Sequence, residues 1–394
     1  MTWAHKGKIA IAGVGFSEIE RRTSRPLGTH ALMAADAALA DCGLGYDDID
    51  GLATYPLAPF LGALQRDGED VINVGFFLSQ PRMKNVVWYS QAGEGLVATA
   101  LRDATNALIA GACNYVLVWR AMYVPPGTYG RAAMREAGGD QQFTAPWGCM
   151  SPLQWHALRY RNYLETYGKT REQMSALVLN SRANANKNPH AIFHDRTLSL
   201  EDYQAARMIS DPLCLLDCDV PVTGCVAMVL TTAERARDMK NKPAYVAAIG
   251  QQTAVHAARI SYTTFDHFDC GKPLADRLWR DAGFGPRDLS AGELYDGFAP
   301  STLYWLESAG FCGRGEALDF IQDGRIAIGG EMPINTFGGS LSEGRLHGMG
   351  HVAEAVAQLT DRAGPRQISG ASAIGVFDGS PMLRGSALIL TRDP

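Results

Sequence analysis

The sequence predicts an α/β protein built from two duplicated halves, with a long loop and helical insertion in the first half. Forty-two glycines in 394 residues, without a collagen-like period, are typical of many tight turns between strands and helices. Short apolar runs closed by glycine alternate with longer stretches of helical periodicity. Two glycine-containing motifs occur once in each half and in the same order, which indicates duplication.

The first half begins with a strand and a helix. Residues 8–14 (KIAIAGV) form an apolar run closed by glycine, which predicts a buried strand. Residues 30–39 are rich in alanine and helical in pattern, and Gly43 is placed to end this helix in the left-handed conformation. Residues 96–110 have apolar side chains at helical spacing and precede the run 115–119 (YVLVW), so a second helix feeds a central strand.

An insertion is predicted from about residue 121 to residue 208. This part of the chain is rich in proline, polar and aromatic residues, and it contains two helical stretches, 154–167 and 171–184. Insertions of this kind often cover a site. The sheet is expected to resume at 226–232, and the charged segment 234–242 is the best candidate for a linker. We therefore divide the chain into an N-terminal half, 1–240, and a C-terminal half, 243–394.

The duplication rests on two pairs of similar motifs. DCGLG at 41–45 matches DAGFG at 281–285, and each follows a helical stretch and precedes a candidate strand. GEGLVATAL at 93–101 resembles GMGHVAEAV at 348–356. The alternative is a chance similarity between motifs rich in glycine and alanine. Two matches in the same order favour duplication.

Composition argues against several classes of protein. The formal net charge is −5 and the chain has no run of lysine or arginine, so a nucleic-acid partner is not expected. No uncharged apolar stretch approaches the roughly 20 residues of a membrane span, and the N-terminus does not resemble a signal peptide, so we expect a cytoplasmic protein. The eight cysteines are scattered, which predicts reduced thiols and no metal site.

Two motifs in the second half resemble the thiolase superfamily. ELYDGF at 293–298 stands where thiolases of the sterol-carrier-protein type have Glu-Leu-His-Asp-Cys-Phe. NTFGGSLSEG at 335–344, followed by Gly348, stands where they have an Asn-x-x-Gly-Gly run leading into Gly-His-Pro-x-Gly. The resemblance covers nearly the whole chain and implies a thiolase-like fold.

The chain departs from thiolases at the positions that the resemblance makes catalytic. Glu94 stands where the nucleophilic cysteine is expected at a helix N-terminus, and Ser90 is the only other nucleophile within a helical turn. Tyr295 and Arg345 replace the two histidines of the motifs, and 377–379 (FDG) replaces a Cys-Gly pair. Claisen chemistry through an acyl-cysteine is therefore not expected.

The same departures resemble the thiolase-like aldolases that remove side chains from steroid CoA thioesters. Those enzymes also lack the cysteine and share the motifs Leu-Tyr-Asp-Gly-Phe and Gly-Gly-x-Leu-Ser-Glu. Their first catalytic tyrosine maps onto Tyr295 and their second onto Arg345, so the two-tyrosine site is only half present. The resemblance implies a homodimer, a small partner protein with an OB fold and a zinc ribbon, and no permanently bound cofactor, with CoA entering as part of the substrate.

Retro-aldol cleavage of a β-hydroxyacyl-CoA requires a base for the hydroxyl proton and stabilisation of an enolate, but no covalent intermediate. Tyr295 is the candidate base, and Arg345 is expected to lower its pKa from about 10 if the two loops converge. His347 is a candidate hydrogen-bonding group, and Glu94 and Asp296 are further candidate acids or bases.

Backbone N–H groups of glycine-flanked turns are candidates for binding the enolate oxygen. They lie at 93–95 and at Gly379 and Ser380. Together with Gly338 and Gly339, Gly379 and Ser380 are also the residues that we expect to contact CoA.

Each candidate also has a structural alternative. Tyr295 fits a core tyrosine at a strand end, and Asp296 fits a cap on the helix predicted at 298–308. His347 and His351 are four residues apart, but a third metal ligand is missing. Glu94 fits a carboxylate that merely favours a helix N-terminus. At the level of function, the alternatives to the lyase are an acyl-CoA thiolase or acyltransferase and a non-catalytic acyl-CoA or lipid carrier.

Overall fold

The computed structural model describes residues 2–55, 72–92, 96–124, 142–149, 151–254 and 266–394. The strands in these ranges are β1 (Ile9–Phe16), β2 (Gly51–Thr54), β3 (Trp88–Gln91), β4 (Tyr115–Tyr123), β5 (Met208–Ser210), β6 (Leu213–Cys214), β7 (Thr223–Thr232), β8 (Ala244–Thr253), β9 (Ala291–Leu294), β10 (Ala373–Ser380) and β11 (Arg384–Thr391). The helices are α1 (Leu27–Cys42), α2 (Val74–Leu78), α3 (Val97–Ile109), α4 (Pro152–Tyr167), α5 (Ser175–Ala185), α6 (Leu200–Gln204), α7 (Ala233–Ala236), α8 (Gly271–Ala282), α9 (Ala299–Ser308), α10 (Ala317–Phe320), α11 (Gly339–Ser342) and α12 (Met349–Leu359).

Nine strands form one mixed sheet in the order β3-β2-β4-β7-β1-β8-β11-β10-β9. In the first half, β2 pairs in parallel with β3 and β4, while β4 and β1 both run antiparallel to β7. In the second half, β9 and β10 are parallel, and β11 is antiparallel to both β10 and β8. The series β2-β4-β7-β1 therefore matches β9-β10-β11-β8 in order and direction. This match confirms the predicted α/β fold with two duplicated halves.

The turns after α1 and α8 repeat the same conformation. Gly43 and Gly283 end the two helices with φ angles of 78° and 82°, in the left-handed region that glycine adopts most easily. A short 3₁₀ turn follows each glycine and leads into β2 or β9. The similar motifs at 41–45 and 281–285 therefore form the same turn, which connects a helix to a strand in each half.

Alternate side chains of the sheet point to opposite faces, and each face packs against a layer of helices. On β1, Ile9 and Ile11 pack with α3 and α12, whereas Ala10 and Ala12 point to the opposite face and pack with α1. Helix α8 packs against β8 and β11 in the second half. The two helices α3 and α12 therefore share one face of the sheet, and their N-terminal ends approach the candidate site.

The insertion joins two neighbouring strands. Strand β4 ends at Tyr123, which pairs with Thr223 at the start of β7, so the chain leaves the sheet at 124 and returns after 222. This segment contains α4, α5, α6 and the hairpin of β5 and β6. The bounds expected from the sequence, 121 and 208, both fall earlier, because β4 continues through 121–123 and the hairpin lies outside the main sheet.

None of the helices in the described ranges has both the length and the apolar character needed to span a lipid bilayer.

Candidate active site

Two loops of the second half meet at the end of β9. The first follows β9 and contains Tyr295, and the second joins α11 to α12 and contains Arg345 and His347. The backbone N–H of Tyr295 donates to the carbonyl of Phe377 at 2.8 Å, next to the parallel pairing of β9 with β10. The carboxyl ends of parallel strands are a common place for ligands in α/β proteins.

Arg345 joins the hydroxyl of Tyr295 to a buried carboxylate. Its Nε lies 3.3 Å from the Tyr295 hydroxyl oxygen and 3.1 Å from Oδ2 of Asp219. The convergence of the two loops that was expected from the sequence is therefore confirmed. Because the guanidinium donates to the phenol oxygen, the phenol proton is left to hydrogen-bond another group. Asp219, which the sequence analysis did not nominate, holds Arg345 in this position.

The ring of Tyr295 lies against the backbone of Gly297. A Cβ atom added at Gly297 would be 2.7 Å from the hydroxyl oxygen of Tyr295 and 2.8 Å from its Cζ. Such distances are well inside van der Waals contact, so any side chain here would displace the ring. The glycine of the Tyr-Asp-Gly motif therefore leaves the space that the Tyr295 ring occupies.

Burial determines the protonation state of Tyr295. Burial raises its pKa to about 12, and the opposing effect of Arg345 is smaller. Asp219 and Asp378 add negative charge that also raises the pKa. The expectation that Arg345 would bring this pKa below its usual value is therefore wrong, because desolvation outweighs the cation. At neutral pH Tyr295 is protonated and suited to donating or relaying a proton.

His347 is a buried, neutral imidazole beside this pair. Its backbone is in the left-handed region, with φ 54°, and its carbonyl accepts a hydrogen bond from the Tyr55 hydroxyl at 2.6 Å. The two rings stack with centroids 5.7 Å apart. Burial lowers the pKa of His347 far below the usual value, and the positive charges of Arg120 and Arg345 lower it further. This environment is compatible with the predicted hydrogen-bonding role.

Asp296 connects α11 to α12 through hydrogen bonds of its carboxylate. Its carboxylate accepts from the backbone N–H groups of Ser340 at 2.7 Å and Leu341 at 3.3 Å, and it lies 3.1 Å from Nε2 of His351. The helix that follows Asp296 begins at Ala299 without a side-chain cap. The expected cap on that helix is therefore wrong, because the carboxylate turns inward and caps α11 instead. His351 lies on α12 while His347 precedes that helix, so the two histidines do not share a helical face.

Gly338 and Gly339 are buried in close packing. A Cβ at Gly339 would lie 2.0 Å from Oδ2 of Asp296, and one at Gly338 would lie 2.7 Å from Cβ of Ala185. Their φ angles of 105° and 61° also favour glycine. These contacts explain both glycines by packing, and their contact with CoA stays a prediction.

A buried carboxylate, Asp378, lies at the N-terminus of α3. Its Oδ2 accepts from the N–H of Val97, the first residue of that helix, at 3.1 Å. Burial raises the pKa of Asp378 to about 6, and this rise is opposed by that N–H group and by the charges of His351 and Arg345. Asp378 lies in the motif that replaces Cys-Gly, but the sequence analysis did not nominate it.

Gly379 and Ser380 follow Asp378 at the end of β10. Gly379 has a φ angle of 80°, and a Cβ there would lie 2.4 Å from Cδ1 of Leu96. Its carbonyl accepts from the indole N–H of Trp305 at 3.3 Å. Their place beside the carboxylate is compatible with the predicted oxyanion and CoA contacts, which stay predictions.

Glu94 and Ser90 are the two residues that the sequence analysis considered at the position of the thiolase cysteine. Glu94, together with its neighbours at 93 and 95, lies outside the described residues. Ser90 lies on the edge strand β3 and donates to Oδ2 of Asp103 at 2.9 Å. Ser90 is therefore part of a strand and not of a helix start.

Cysteine thiols are free but buried or partly buried. No disulfide joins the eight cysteines, all of which lie in the described ranges. Cys225 is close enough to Arg120 and Tyr55 to interact electrostatically with both, and burial raises the pKa of its thiol far above the usual value. It is therefore protonated at neutral pH. Within the part of the chain that the structure describes, no three His, Cys, Asp or Glu side chains are arranged to hold a metal ion.

Four residues of this site were missed by the sequence analysis: Tyr55, Arg120, Asp219 and Asp378. Arg120 left a visible signal, because it is the one charged residue in the apolar run YVLVWRAMY of β4. The same is true of Asp378 in the strand AIGVFDGS. Tyr55 and Asp219 left no such signal, since nothing in their local sequence separates them from ordinary loop residues.

Comparisons with known proteins agree with this geometry. Residues 251–392 match a family described as thiolase C-terminal domain-like. The chain is 34% identical to a 17-hydroxy-3-oxo-4-pregnene-20-carboxyl-CoA lyase from Mycobacterium tuberculosis, over 90% of this chain and 92% of that protein. It is 36% identical to a steroid side-chain-cleaving aldolase from Thermomonospora curvata, over 89% of this chain and 90% of that one.

Two solved structures support the same assignment at the level of the fold. A structure described as an Ltp2-ChsH2(DUF35) aldolase superposes with a TM-score of 0.86 at 32% identity and covers 98% of both chains. Human mitochondrial 3-ketoacyl-CoA thiolase superposes with a TM-score of 0.66 at 13% identity, which indicates a shared fold alone.

Proposed function

This chain belongs to the family of thiolase-like, steroid side-chain-cleaving acyl-CoA aldolases, and we propose that it cleaves a β-hydroxyacyl-CoA with a steroid or similarly bulky side chain. The products are a ketone or aldehyde and a shorter acyl-CoA. As a carbon–carbon lyase of this family it needs no acyl-cysteine. The observation that carries the proposal is the contact between Arg345 and the Tyr295 hydroxyl, in the position where thiolases have histidines.

Tyr295 and Asp378 divide the proton transfer between them. Tyr295 keeps its proton at neutral pH because its pKa is about 12, so we assign it to hydrogen-bonding the substrate hydroxyl and relaying the proton. Asp378 has a pKa of about 6 and interacts electrostatically with Tyr295, so it is ionised at neutral pH and able to accept that proton. Arg345, fixed by Asp219, holds the phenol oxygen in place.

The reaction balances without a co-reactant. The hydroxyl proton leaves to the base, the Cα–Cβ electron pair moves to the thioester to form an enolate, and Cα is then protonated. We propose that no permanently bound cofactor takes part and that CoA enters as part of the substrate. The backbone amides of Gly379 and Ser380 are the proposed contacts for the substrate at this edge of the sheet.

The activity is tested with 17-hydroxy-3-oxo-4-pregnene-20-carboxyl-CoA, the substrate class named for a relative of this chain. Purified protein is incubated without free CoA, and both products are measured by mass spectrometry. Release of a steroid ketone and a shorter acyl-CoA is the expected result. A requirement for free CoA would instead indicate thiolysis, and tight binding without turnover would indicate a carrier.

We propose that the protein is a homodimer whose seam runs along β3. This strand is at one edge of the sheet; Tyr89 in the strand is 62% exposed, and Val87 immediately before it is 75% exposed. Exposed edge strands pair readily with another strand. The family resemblance implies that the helix at 96–110 and the strand at 115–119 both lie beside the dimer seam. Helix α3 packs against β3, whereas β4 is two strands away from this edge, so a seam along β3 is next to α3 but not to β4.

We also propose a small partner protein with an OB fold and a zinc ribbon. The proposal is supported by the description of the similar solved structure as an Ltp2-ChsH2(DUF35) aldolase. The insertion also exposes large apolar side chains, including Phe143 at 62% and Trp147 at 84%. Co-expression with a protein of that type should increase yield or activity. Full activity of the chain alone would show that the partner is not required.

A further inference from the structure

A buried arginine, Arg120, lies beside the candidate site without a role in the mechanism described above. It interrupts the apolar strand β4, and its side chain is on the same face as Val116 and Val118, which α3 and α12 cover. The residue is only 7% exposed. Its guanidinium carbon lies 5.8 Å from the ring centre of Tyr55. The charge is therefore inside the molecule and close to the site.

Among the described residues, Arg120 has no anionic partner of the kind that buried arginines usually have. Its Nε has no hydrogen-bond partner, and no carboxylate in the described ranges forms an ion pair with its guanidinium. By contrast, Arg345 pairs with Asp219 and Arg366 with Glu354. Burying a cation without an acceptor is costly, so such a group indicates that a ligand supplies the acceptor.

The surroundings of Arg120 favour an anion near Tyr295. Arg120 interacts electrostatically with Tyr55, Tyr295 and Arg345, and both arginines act on the neutral ring of His347. Burial lowers the pKa of Arg120 to about 10, so the guanidinium stays charged at neutral pH. Asp219 pairs with Arg345, and Asp378 adds a second negative charge close to Tyr295, so Arg120 is the cation of this neighbourhood with which an oxyanion of the substrate can pair.

We propose that Arg120 is a catalytic residue that binds the thioester oxygen as it becomes an enolate. This inference rests on the proposed lyase function. In a β-hydroxyacyl thioester the carbonyl oxygen and the hydroxyl oxygen are joined through three carbon atoms, so a group close to Tyr295 can reach both. When the Cα–Cβ bond breaks, its electron pair moves onto the thioester oxygen, and a preorganised cation at that point stabilises the transition state.

The experiment compares the wild-type protein with Arg120→Gln and Arg120→Lys, using the steroid thioester named above. If Arg120 binds the enolate, Arg120→Gln lowers kcat by ~10²–10³, the range for loss of one oxyanion donor, while KM changes little. Arg120→Lys keeps the positive charge but loses the planar arrangement of guanidinium N–H donors, so its kcat should lie between those of the wild type and of Arg120→Gln. Arg182→Gln is the control, since Arg182 is also buried and stacks on Phe193 at 4.0 Å, and it should keep the wild-type kcat.

The outcomes separate the inference from the function on which it rests. A wild-type protein that cleaves no β-hydroxyacyl-CoA, either alone or co-expressed with a partner of the proposed type, overturns both. Wild-type cleavage with an unchanged kcat in a folded Arg120→Gln variant overturns only the role of Arg120. A higher KM at unchanged kcat also overturns it, because that result indicates a contact that is equally strong in the bound substrate and in the transition state. If the glutamine variant does not fold, Arg120→Lys decides, and a wild-type kcat in that variant refutes the proposal.

Discussion

At the scale of single residues, the local environment gives two acidic groups of the site very different pKa values. Tyr295 and Asp378 interact with each other, yet burial and nearby charges give them pKa values of about 12 and about 6. Neutral pH lies between the two values, so the phenol keeps its proton and the carboxylate loses it. A pair with separated pKa values is typical of sites that divide acid and base roles.

The first prediction concerns the hydroxyl of Tyr295. Tyr295→Phe should lower kcat by ~10² or more, because the substrate hydroxyl loses its hydrogen-bonding and relay group. The fold should persist, since the aromatic ring and its packing remain. Steady-state kinetics together with thermal unfolding measure both effects.

A second tyrosine provides the control for that variant. The hydroxyl of Tyr304 is buried on α9 and has no hydrogen-bond partner among the described residues. Tyr304→Phe therefore removes a buried hydroxyl without touching the site and should leave kcat unchanged. Equal rates in wild type and Tyr295→Phe would exclude the phenol from the mechanism.

The second prediction is a pH dependence set by Asp378. Below a pH of about 6 this carboxylate is protonated and cannot accept the proton, so kcat/KM should fall about tenfold for each further pH unit. Asp378→Asn should have a low rate without this acidic limb. Rates measured from pH 4.5 to pH 8 are the test, and an unchanged acidic limb in the variant would assign the limb to another group.

Stability follows the opposite direction for the same residue. The folded protein raises the pKa of Asp378, so the protonated form is favoured on folding and its contribution is present at low pH. That contribution is lost as the pH rises through about 6. Asp378→Asn should therefore not lower Tm at neutral pH, and the same measurement checks that the variant is folded.

At the scale of elements, the loop after β9 determines where the phenol lies. The third prediction is that Gly297→Ala reduces kcat by about 10², because the new Cβ would be 2.7 Å from the Tyr295 oxygen and would displace it from Arg345. The matched control is Gly285→Ala, where the nearest atom to the new Cβ is 3.9 Å away and φ is −118°. An active Gly297→Ala variant would mean that the loop tolerates a shifted ring.

Sequence patterns predicted the elements better than the site. Periodicity and glycine turns located β1, α1, α3 and β4, because those signals are local to each segment. The motifs also brought Tyr295 and Arg345 together correctly. The expected net lowering of the Tyr295 pKa was wrong: Arg345 does lower it, but burial has the larger effect, and burial depends on every element that surrounds the ring. Asp219 was missed for the same reason: its partner Arg345 is distant in sequence, and only the folded chain brings them together.

At the scale of the whole molecule, the two halves treat their outer strands differently. The edge of β9 is covered by the chain itself, since the N–H of Gly292 donates to the carbonyl of Pro333 and the N–H of Asn335 donates to the carbonyl of Gly292. Among the described residues, no such segment pairs with the outer edge of β3. In the first half β3 covers the equivalent edge of β2, so among the described residues the uncovered edge of that half is the outer side of β3.

The fourth prediction follows from this difference. If a second copy covers β3, light scattering should give about twice the chain mass of 42.5 kDa. Burying a valine-sized side chain contributes about 1.5–3 kcal/mol, so Val87→Lys together with Tyr89→Glu should weaken the dimer by more than about tenfold in Kd. Leu200→Glu, on the exposed face of α6, is the control and should leave the mass unchanged. A wild-type chain that is monomeric and fully active at micromolar concentration would rule out pairing through β3. A double variant that is both monomeric and less active would indicate that the dimer seam affects the site. Helix α3 would provide the connection, because it packs against β3 and begins at the Asp378 carboxylate.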